Sequence, residues 1–465
     1  VHDLLALIET GVPAAAATGG ALYARERAPR LYWSLVGLPA ALARVNRGWA
    51  DTMEACGLTT SPAMWRVLAA RQGDATEVRP TPPKLRAVVP TTRGVRLRMR
   101  LARGQCLADV TDALPALRAA WRVHSLHASE VRPGLVDLHI IGFDVLRRVV
   151  LPARLAGKAE LLRIPVAMTD RGAVYQRNYR VMPHGLTLGA TLSGKSMYGR
   201  NLFHSLAGQD VAVVGIDCKR GAEHTPFAPR LSALATDADS ALDLLRVLVD
   251  VEMSGRFDLV CSYMGIPRIV PGEDVTADIW GLPAKLRPAP LVLIVDEVAE
   301  LFLSSGSKPD EARRNEIVKL LIRYAQLGRS SGMFVEVMGQ RFGSELGKGA
   351  TFLRSQLGNR VVHRVHDIES SRMGLGDVSE EAMHAATHLP EELPGIAIAG
   401  DTSGRWQRIR TPYRPLAETA MHCAATAHLV PDLPALNAFR PVPPAPVDDL
   451  LDDVSVYLPD PASAA

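Results

Sequence analysis

From Gly189 to Ser196 the chain reads Gly-Ala-Thr-Leu-Ser-Gly-Lys-Ser, a GxxxxGK[ST] spacing that follows a short apolar run at 186–188 and opens a helix-compatible run at 197–207. Such a loop turns backbone N–H groups toward a β-phosphate and aims a helix N-terminus at it. Gly189, Ala190, Thr191, Leu192, Ser193 and Gly194 would form that cradle. Lys195 would reach the β/γ oxygens and the Ser196 hydroxyl would ligate Mg²⁺, with ATP as the nucleotide. Leu192 stands where such loops commonly carry glycine, so a positive φ there would cost about 1 kcal/mol or more.

About a hundred residues on, Leu291-Val-Leu-Ile-Val295 ends in Asp296 and Glu297. A fully apolar strand ending in two acids places Asp296 near the Mg²⁺ shell and Glu297 where a carboxylate polarises the attacking water. Other constellations are weaker. His384 and His388 lie four apart, but no glutamate follows the first and no third ligand is evident, so the spacing does not make a zinc site. The five cysteines are widely spaced, with no CxxC pair, which fits a reduced compartment and neither a disulfide framework nor a zinc site. No Ser/His/Asp or Cys/His nucleophilic set stands out.

These residues need a frame. A composition 47% hydrophobic and 22% charged is ordinary for a globular chain. A net charge of only +4 means that any polyanion contact must come from a local patch. Between 183 and about 415, apolar runs alternate with helical patterns, the signature of an α/β fold with a mostly parallel sheet covered by helices. Strands are expected at 186–188, 211–216, 291–295, 334–338, 361–365 and 396–399. Helices are expected after Gly194, over 238–253 and over 311–327.

The chain divides into a helical N-terminal segment (1–71), a proline-rich linker (72–90), a small β-α-β domain (91–150), the P-loop domain (151–415) and a proline-rich acidic tail (416–465) expected to be largely disordered. The 4–23 run is mostly apolar and long enough to span a membrane, but it carries Glu9 and Pro13; a buried or interfacial hairpin is the alternative. Arg25, Arg27 and Arg30 follow it, so a spanning segment would leave the rest in the cytoplasm, at the inner face of the membrane.

Six stretches, in order, resemble the FtsK/SpoIIIE family. They are the run from Pro183-His184-Gly185 through Ser196, Gly215-Ile-Asp217-Cys-Lys219, Val295-Asp296-Glu297-Val-Ala-Glu300, Ala325-Gln-Leu-Gly-Arg329-Ser-Ser-Gly332, Gly339-Gln340-Arg341, and the run 359–372. The resemblance implies a RecA-like P-loop (ASCE) motor that hydrolyses ATP to move double-stranded DNA as a homo-hexamer. It implies that Gln340 senses the γ-phosphate and that Arg329 is an arginine finger entering the neighbouring subunit's site, with Arg372 a second candidate. Phe342 stands where the family has proline, and Ile368 where some members have lysine.

The small domain would match the one stacked under the motor ring in this family. Relatives of this size serve conjugative or integrative elements in actinobacteria, which makes DNA transfer the favoured role and implies membrane or conjugation-apparatus partners. Arg341, Lys348 and Arg354 follow the Gln340 strand among glycines and are candidate DNA contacts. The competing readings are a type VII-like protein-secretion ATPase and a nucleotide-binding scaffold without turnover.

Overall fold

The computed structural model describes residue 23 and residues 28–61, 80–91, 93–151, 160–264, 277–303, 306–343, 346–347 and 349–442. Apart from Tyr23, the apolar 4–23 run falls outside them. Among the described residues no helix is long and apolar enough to cross a membrane. The chain forms two compact units, Val1–Val145 and Leu146–Ala465.

The first unit contains a helical run over 29–47, with a π-helical stretch at Trp33–Gly37, and a short helix at Trp49–Ala55. A four-stranded antiparallel sheet follows: β1 (Lys84–Thr91), β2 (Gly94–Arg100), β3 (Ser125–Arg132) and β4 (Leu135–Ile141), in the order β1-β2-β4-β3, with helix α1 (Leu107–Trp121) between β2 and β3. Period-two alternation decides which face is covered. Val95, Leu97 and Met99 of β2 and Val136, Leu138 and Ile140 of β4 point inward, against Val110, Leu117 and Trp121 of α1 and against Trp33, Val45 and Met53 from the N-terminal helices. Cys106 begins α1, its N–H donated to the Asp109 carboxylate at 2.7 Å.

Three expectations change here. The β-α-β unit is a four-stranded sheet, because β1 adds to β2 at one edge and β3 to β4 at the other. The linker reading of 72–90 does not hold for residues 84–90, which lie in β1: the prolines before them start an edge strand, where a missing N–H is tolerated. The N-terminal helices and the small sheet share one core, so they are not separate segments.

The second unit is built on a ten-stranded sheet: β5 (Arg163–Thr169), β6 (Val174–Asn178), β7 (His184–Leu188), β8 (Ala212–Ile216), β9 (Ala233–Ala235), β10 (Leu291–Val295), β11 (Met333–Gly339), β12 (Asn359–His363), β13 (Ile396–Gly400) and β14 (Trp406–Arg410). Their order is β6-β5-β14-β13-β12-β7-β11-β10-β8-β9. The six strands from β12 to β9 run parallel and the other four extend the sheet antiparallel. All five residues of β7, β8, β10 and β12 are buried, as strands covered on both faces require.

Helix α2 (Lys195–Ala207) leaves the phosphate loop, and α3 (Lys308–Ser331) runs into β11 after Ser307 caps its start and Gly332, at φ 70°, ends it. Helix α4 (Ile368–Leu375) follows β12, and α5 (Leu416–Ala425) lies within the expected tail. That tail reading is corrected over 416–442: Thr419 and Cys423 of α5 and Leu436 beyond it are buried, so this stretch packs on the motor. Residues 443–465 lie outside the described ones.

One buried ion pair crosses this core. Arg177 of β6 donates from Nε to Glu336 of β11 at 2.5 Å, and both side chains are fully enclosed. Arg177 also donates to the Asn178 and Met182 carbonyls and lies 4.1 Å over the Tyr179 ring. A buried pair is tolerable only with such extra partners. Gly185 on β7 makes the room, since a Cβ there would lie 2.0 Å from Glu336 Oε2.

Candidate nucleotide site

Parallel register brings the carboxyl ends of four strands to one edge. Leu188 of β7 aligns with Gly339 of β11, and Val295 of β10 aligns with Val337 of β11 and Ile216 of β8. Ligands of open α/β sheets bind at this edge. β11 separates the phosphate-loop strand β7 from β10, so the residues after β10 and β11 face the loop side by side.

The loop is fastened on three sides. Gly189 N–H donates to the Gly339 carbonyl, Ala190 N–H to that of Arg364, and the Ser193 carbonyl accepts from Gly395 N–H at 2.9 Å. Gly194 has φ 105°, and a Cβ on it would lie 2.4 Å from Gly395 N, so only glycine fits. Leu192 takes the expected positive φ, 62°. Its side chain is 87% exposed, which leaves only the backbone cost of roughly 1 kcal/mol.

The N–H groups of Gly194, Lys195 and Ser196 find no backbone acceptor among the described residues, and the buried Ser193 Oγ has no hydrogen-bond partner. Unused donors converging at a helix N-terminus form an anion site. Ser196 is half-buried beside them, and with Asp296 it supplies the hard oxygen donors that suit Mg²⁺.

Lys195 Nζ donates to Glu297 Oε2 at 2.6 Å, and Glu297 Oε1 accepts the Gln340 backbone N–H at 3.2 Å. Asp296 accepts from Lys219 Nζ at 2.7 Å. Lys195, Asp296 and Glu297 are each less than a tenth exposed. Two adjacent carboxylates in a low-dielectric pocket repel, and here each is matched by its own ammonium. Burial pulls the Lys219 ammonium down, but the hydrogen bond and charge of Asp296 outweigh it and hold the lysine above its ordinary value.

Lys219 is the site residue that motif reading left without a role. It follows β8, the strand beside β10, within the Asp217-Cys-Lys219 run. The fully buried Asp217 carboxylate accepts the N–H groups of Lys219, Glu223 and His224, which fixes the turn that presents Lys219. The available signal was adjacency: a lysine three residues beyond the strand neighbouring the Asp-Glu strand. Burial pushes the Cys218 thiol up to about 12, so it is no nucleophile.

His363 ends β12 beneath the loop, edge-on to Tyr198, and burial lowers its imidazole to about 4. It is fully buried and packs in the core.

The remaining candidates are dispersed. The Gln340 side chain is exposed at the same edge. Arg329 is exposed on the last turn of α3, at the Met333 end of β11. That is the opposite edge of the sheet, about 20 Å along the strand from Gly339, so the chain does not bring Arg329 to its own loop. Arg372 pairs with Glu369 on α4. Arg341 is held by Ser370 and Asp367 at 3.2 and 3.3 Å, and Arg354 donates to the Phe342 carbonyl. Lys348 lies outside the described residues. His388 Nδ1 lies 2.8 Å from the His384 carbonyl, and no group of three potential metal ligands occurs among the described residues.

Comparison with known proteins places this arrangement. Residues 20–142 match the actinomycete conjugal transfer protein N-terminal domain, and residues 146–344 match the FtsK/SpoIIIE family. The chain is 48% identical over 398 residues to the transfer protein TraSA of Streptomyces ambofaciens, covering 86% of this chain and 95% of that protein. It is 55% identical over 268 residues to a sporulation regulatory protein of Streptomyces azureus, covering 58% and 84%. Among solved structures, the pCW3 conjugation coupling protein TcpA, bound to ATPγS, aligns with a TM-score of 0.48 at 19% identity, over 74% of this chain and 93% of that one. With its nucleotide loop, Asp-Glu strand and matched N-terminal domain, the chain belongs to the FtsK/SpoIIIE family of P-loop ATPases and DNA translocases, among the actinomycete conjugal transfer proteins.

Proposed function

We propose that this chain uses ATP hydrolysis to move double-stranded DNA during conjugal transfer, working as a homo-hexameric ring. The observation that carries the reading is the convergence of the unused loop N–H groups, Lys195, Asp296, Glu297 and the Gln340 backbone at one sheet edge, with Arg329 at the other. An arginine that cannot reach its own loop can reach a neighbour's when subunits are arranged head to tail around a ring.

In this reading the loop N–H groups orient the phosphates and Lys195 exchanges Glu297 for the β/γ oxygens. Glu297, released from the lysine but still held by the Gln340 N–H, polarises the attacking water and takes its proton. Mg²⁺, held by Ser196 and Asp296, would neutralise charge on the transferred phosphoryl group. Lys219, hydrogen-bonded to Asp296, holds that carboxylate in place. Arg329 of the next subunit neutralises charge developing on the γ-phosphoryl, so an isolated subunit hydrolyses slowly. Arg341 and Arg354, near the end of β11, remain candidate phosphate contacts. The 4–23 run and the arginines after it support a motor held at the cytoplasmic face of a membrane.

The test is steady-state ATPase activity with and without long duplex DNA, beside Lys195→Ala. Strong stimulation by duplex, abolished in the variant, is expected. Hydrolysis indifferent to DNA would favour a protein-secretion ATPase, and ATP binding without hydrolysis would favour a scaffold.

A further inference from the structure

The N-terminal sheet has a second face, opposite its core. Strand register places on that face Arg96, Arg98 and Arg100 of β2, Lys84 of β1 opposite Arg100, Arg132 of β3 opposite Leu135, and Asp137 of β4 opposite Arg98. Five cations stand against one carboxylate, a net charge equal to the +4 of all 465 residues. The other acid of these strands, Glu130, shares the register of inward-facing Val136 and accepts the Gly134 N–H at 3.3 Å.

Only Arg98 is neutralised. It makes a two-pronged bond to the nearly buried Asp137, at 2.7 and 2.8 Å, and holds that carboxyl below its ordinary range. Lys84, Arg96, Arg100 and Arg132 make no ion pair among the described residues, and Lys84, Arg100 and Arg132 are exposed. Single surface arginines need no explanation. Like charges directly opposite across strands, as at Lys84 and Arg100, oppose folding, and an external polyanion would remove that cost.

We propose that this sheet face binds the phosphate backbone of duplex DNA, giving the chain a DNA contact outside the motor domain. Alternate residues on β2 are about 6.8 Å apart, roughly the axial rise of two phosphates on one DNA strand. The face can therefore lay successive arginines along one backbone without reading bases. The apolar residues sharing it, Ala87, Val89 and Leu135, include no aromatic, whereas interfacial membrane binding calls for large apolar side chains. The inference rests on the proposed function, in that duplex DNA is taken as the substrate.

The test uses the full chain and a fluorescent duplex, with binding measured by anisotropy across a salt series. Arg96→Ala/Arg100→Ala is the variant; Arg98 is left intact because its loss would strand Asp137. The expected result is a log–log salt slope shallower by about 2, from two lost phosphate contacts at roughly 0.9 each. Binding of a fluorescent ATP analogue should be unchanged. Arg96→Lys/Arg100→Lys, which keeps the charge, should keep the slope. An unchanged slope in the alanine variant overturns the proposal while leaving the motor reading intact. Failure of the unmodified chain to bind duplex overturns both. An unchanged DNA slope with lost binding to phosphatidylserine vesicles reassigns the face to a membrane.

Discussion

The nucleotide edge of the motor sheet and the outer face of the N-terminal sheet both crowd charged groups, but in opposite ways. At the nucleotide edge each buried carboxylate has one ammonium within 2.7 Å, and the Gln340 backbone N–H completes the set. On the N-terminal face four cations are unpaired and the one carboxylate belongs to Arg98. Chemistry at one phosphorus needs groups fixed to a fraction of an ångström, which burial and pairing provide. Sequence-independent grip on a polyanion needs only exposed positive charge at about the right spacing. On the proposed reading, paired and buried charge at the nucleotide edge serves catalysis and unpaired exposed charge on the N-terminal face serves as a track, while the buried Arg177–Glu336 pair serves the core.

Arg329 strains that rule most, because it is exposed yet assigned to catalysis. Arg329→Ala is expected to lower DNA-stimulated hydrolysis by about 10³. Mixing it with Lys195→Ala should recover measurable activity, since each subunit type supplies what the other lacks. No recovery in mixed rings would return Arg329 to the bland role of complementing the α3 dipole.

Lys219 sharpens the paired side. Lys219→Met leaves Asp296 without its partner and is expected to cost about tenfold in kcat and to raise the Mg²⁺ concentration for half-maximal rate, with Lys219→Arg keeping most activity. A lower Mg²⁺ requirement in the methionine variant would make Lys219 a competitor of the metal rather than an orienter of its ligand.

The histidines enclosed in the motor core test the buried side through stability rather than rate. Burial lowers His184 to about 3 and His363 to about 4, and His184 Nδ1 accepts the Val335 N–H, which requires the neutral ring. Both pKa values lie below the unfolded value near 6.5. Their neutral-state stability is therefore complete above about pH 6.5 and is lost as pH falls toward the folded values. At pH 5 the loss is about 2 kcal/mol for each. Denaturant midpoints at pH 7.5 and 5.0 should differ accordingly, and His363→Gln should flatten part of the difference; equal midpoints would contradict burial of neutral rings.

Much of the site was legible because it is written in short contiguous runs. β10 matches its expected limits, and the loop, Asp296 and Glu297 are each next to a strand that periodicity identifies. What escaped depends on pairing between distant segments. β5 is not among the expected strands because Pro165 interrupts its apolar run, and the structure accommodates that proline at a register shift between Pro165 and Ala167. β3 carries mostly polar residues and turns only Leu126 and Ala128 toward the core. Lys219 gained its partner only when the sheet order set β8 beside β10. The tail helix α5 was masked by the prolines around it, although Cys423 is among the motor's core residues.

The central claim is movement along DNA driven by hydrolysis. Displacement of a triplex-forming oligonucleotide from a long linear duplex measures it directly, with the full chain, ATP and Mg²⁺. The account predicts ATP-dependent displacement that Lys195→Ala abolishes; DNA-stimulated hydrolysis with the triplex left in place would contradict it.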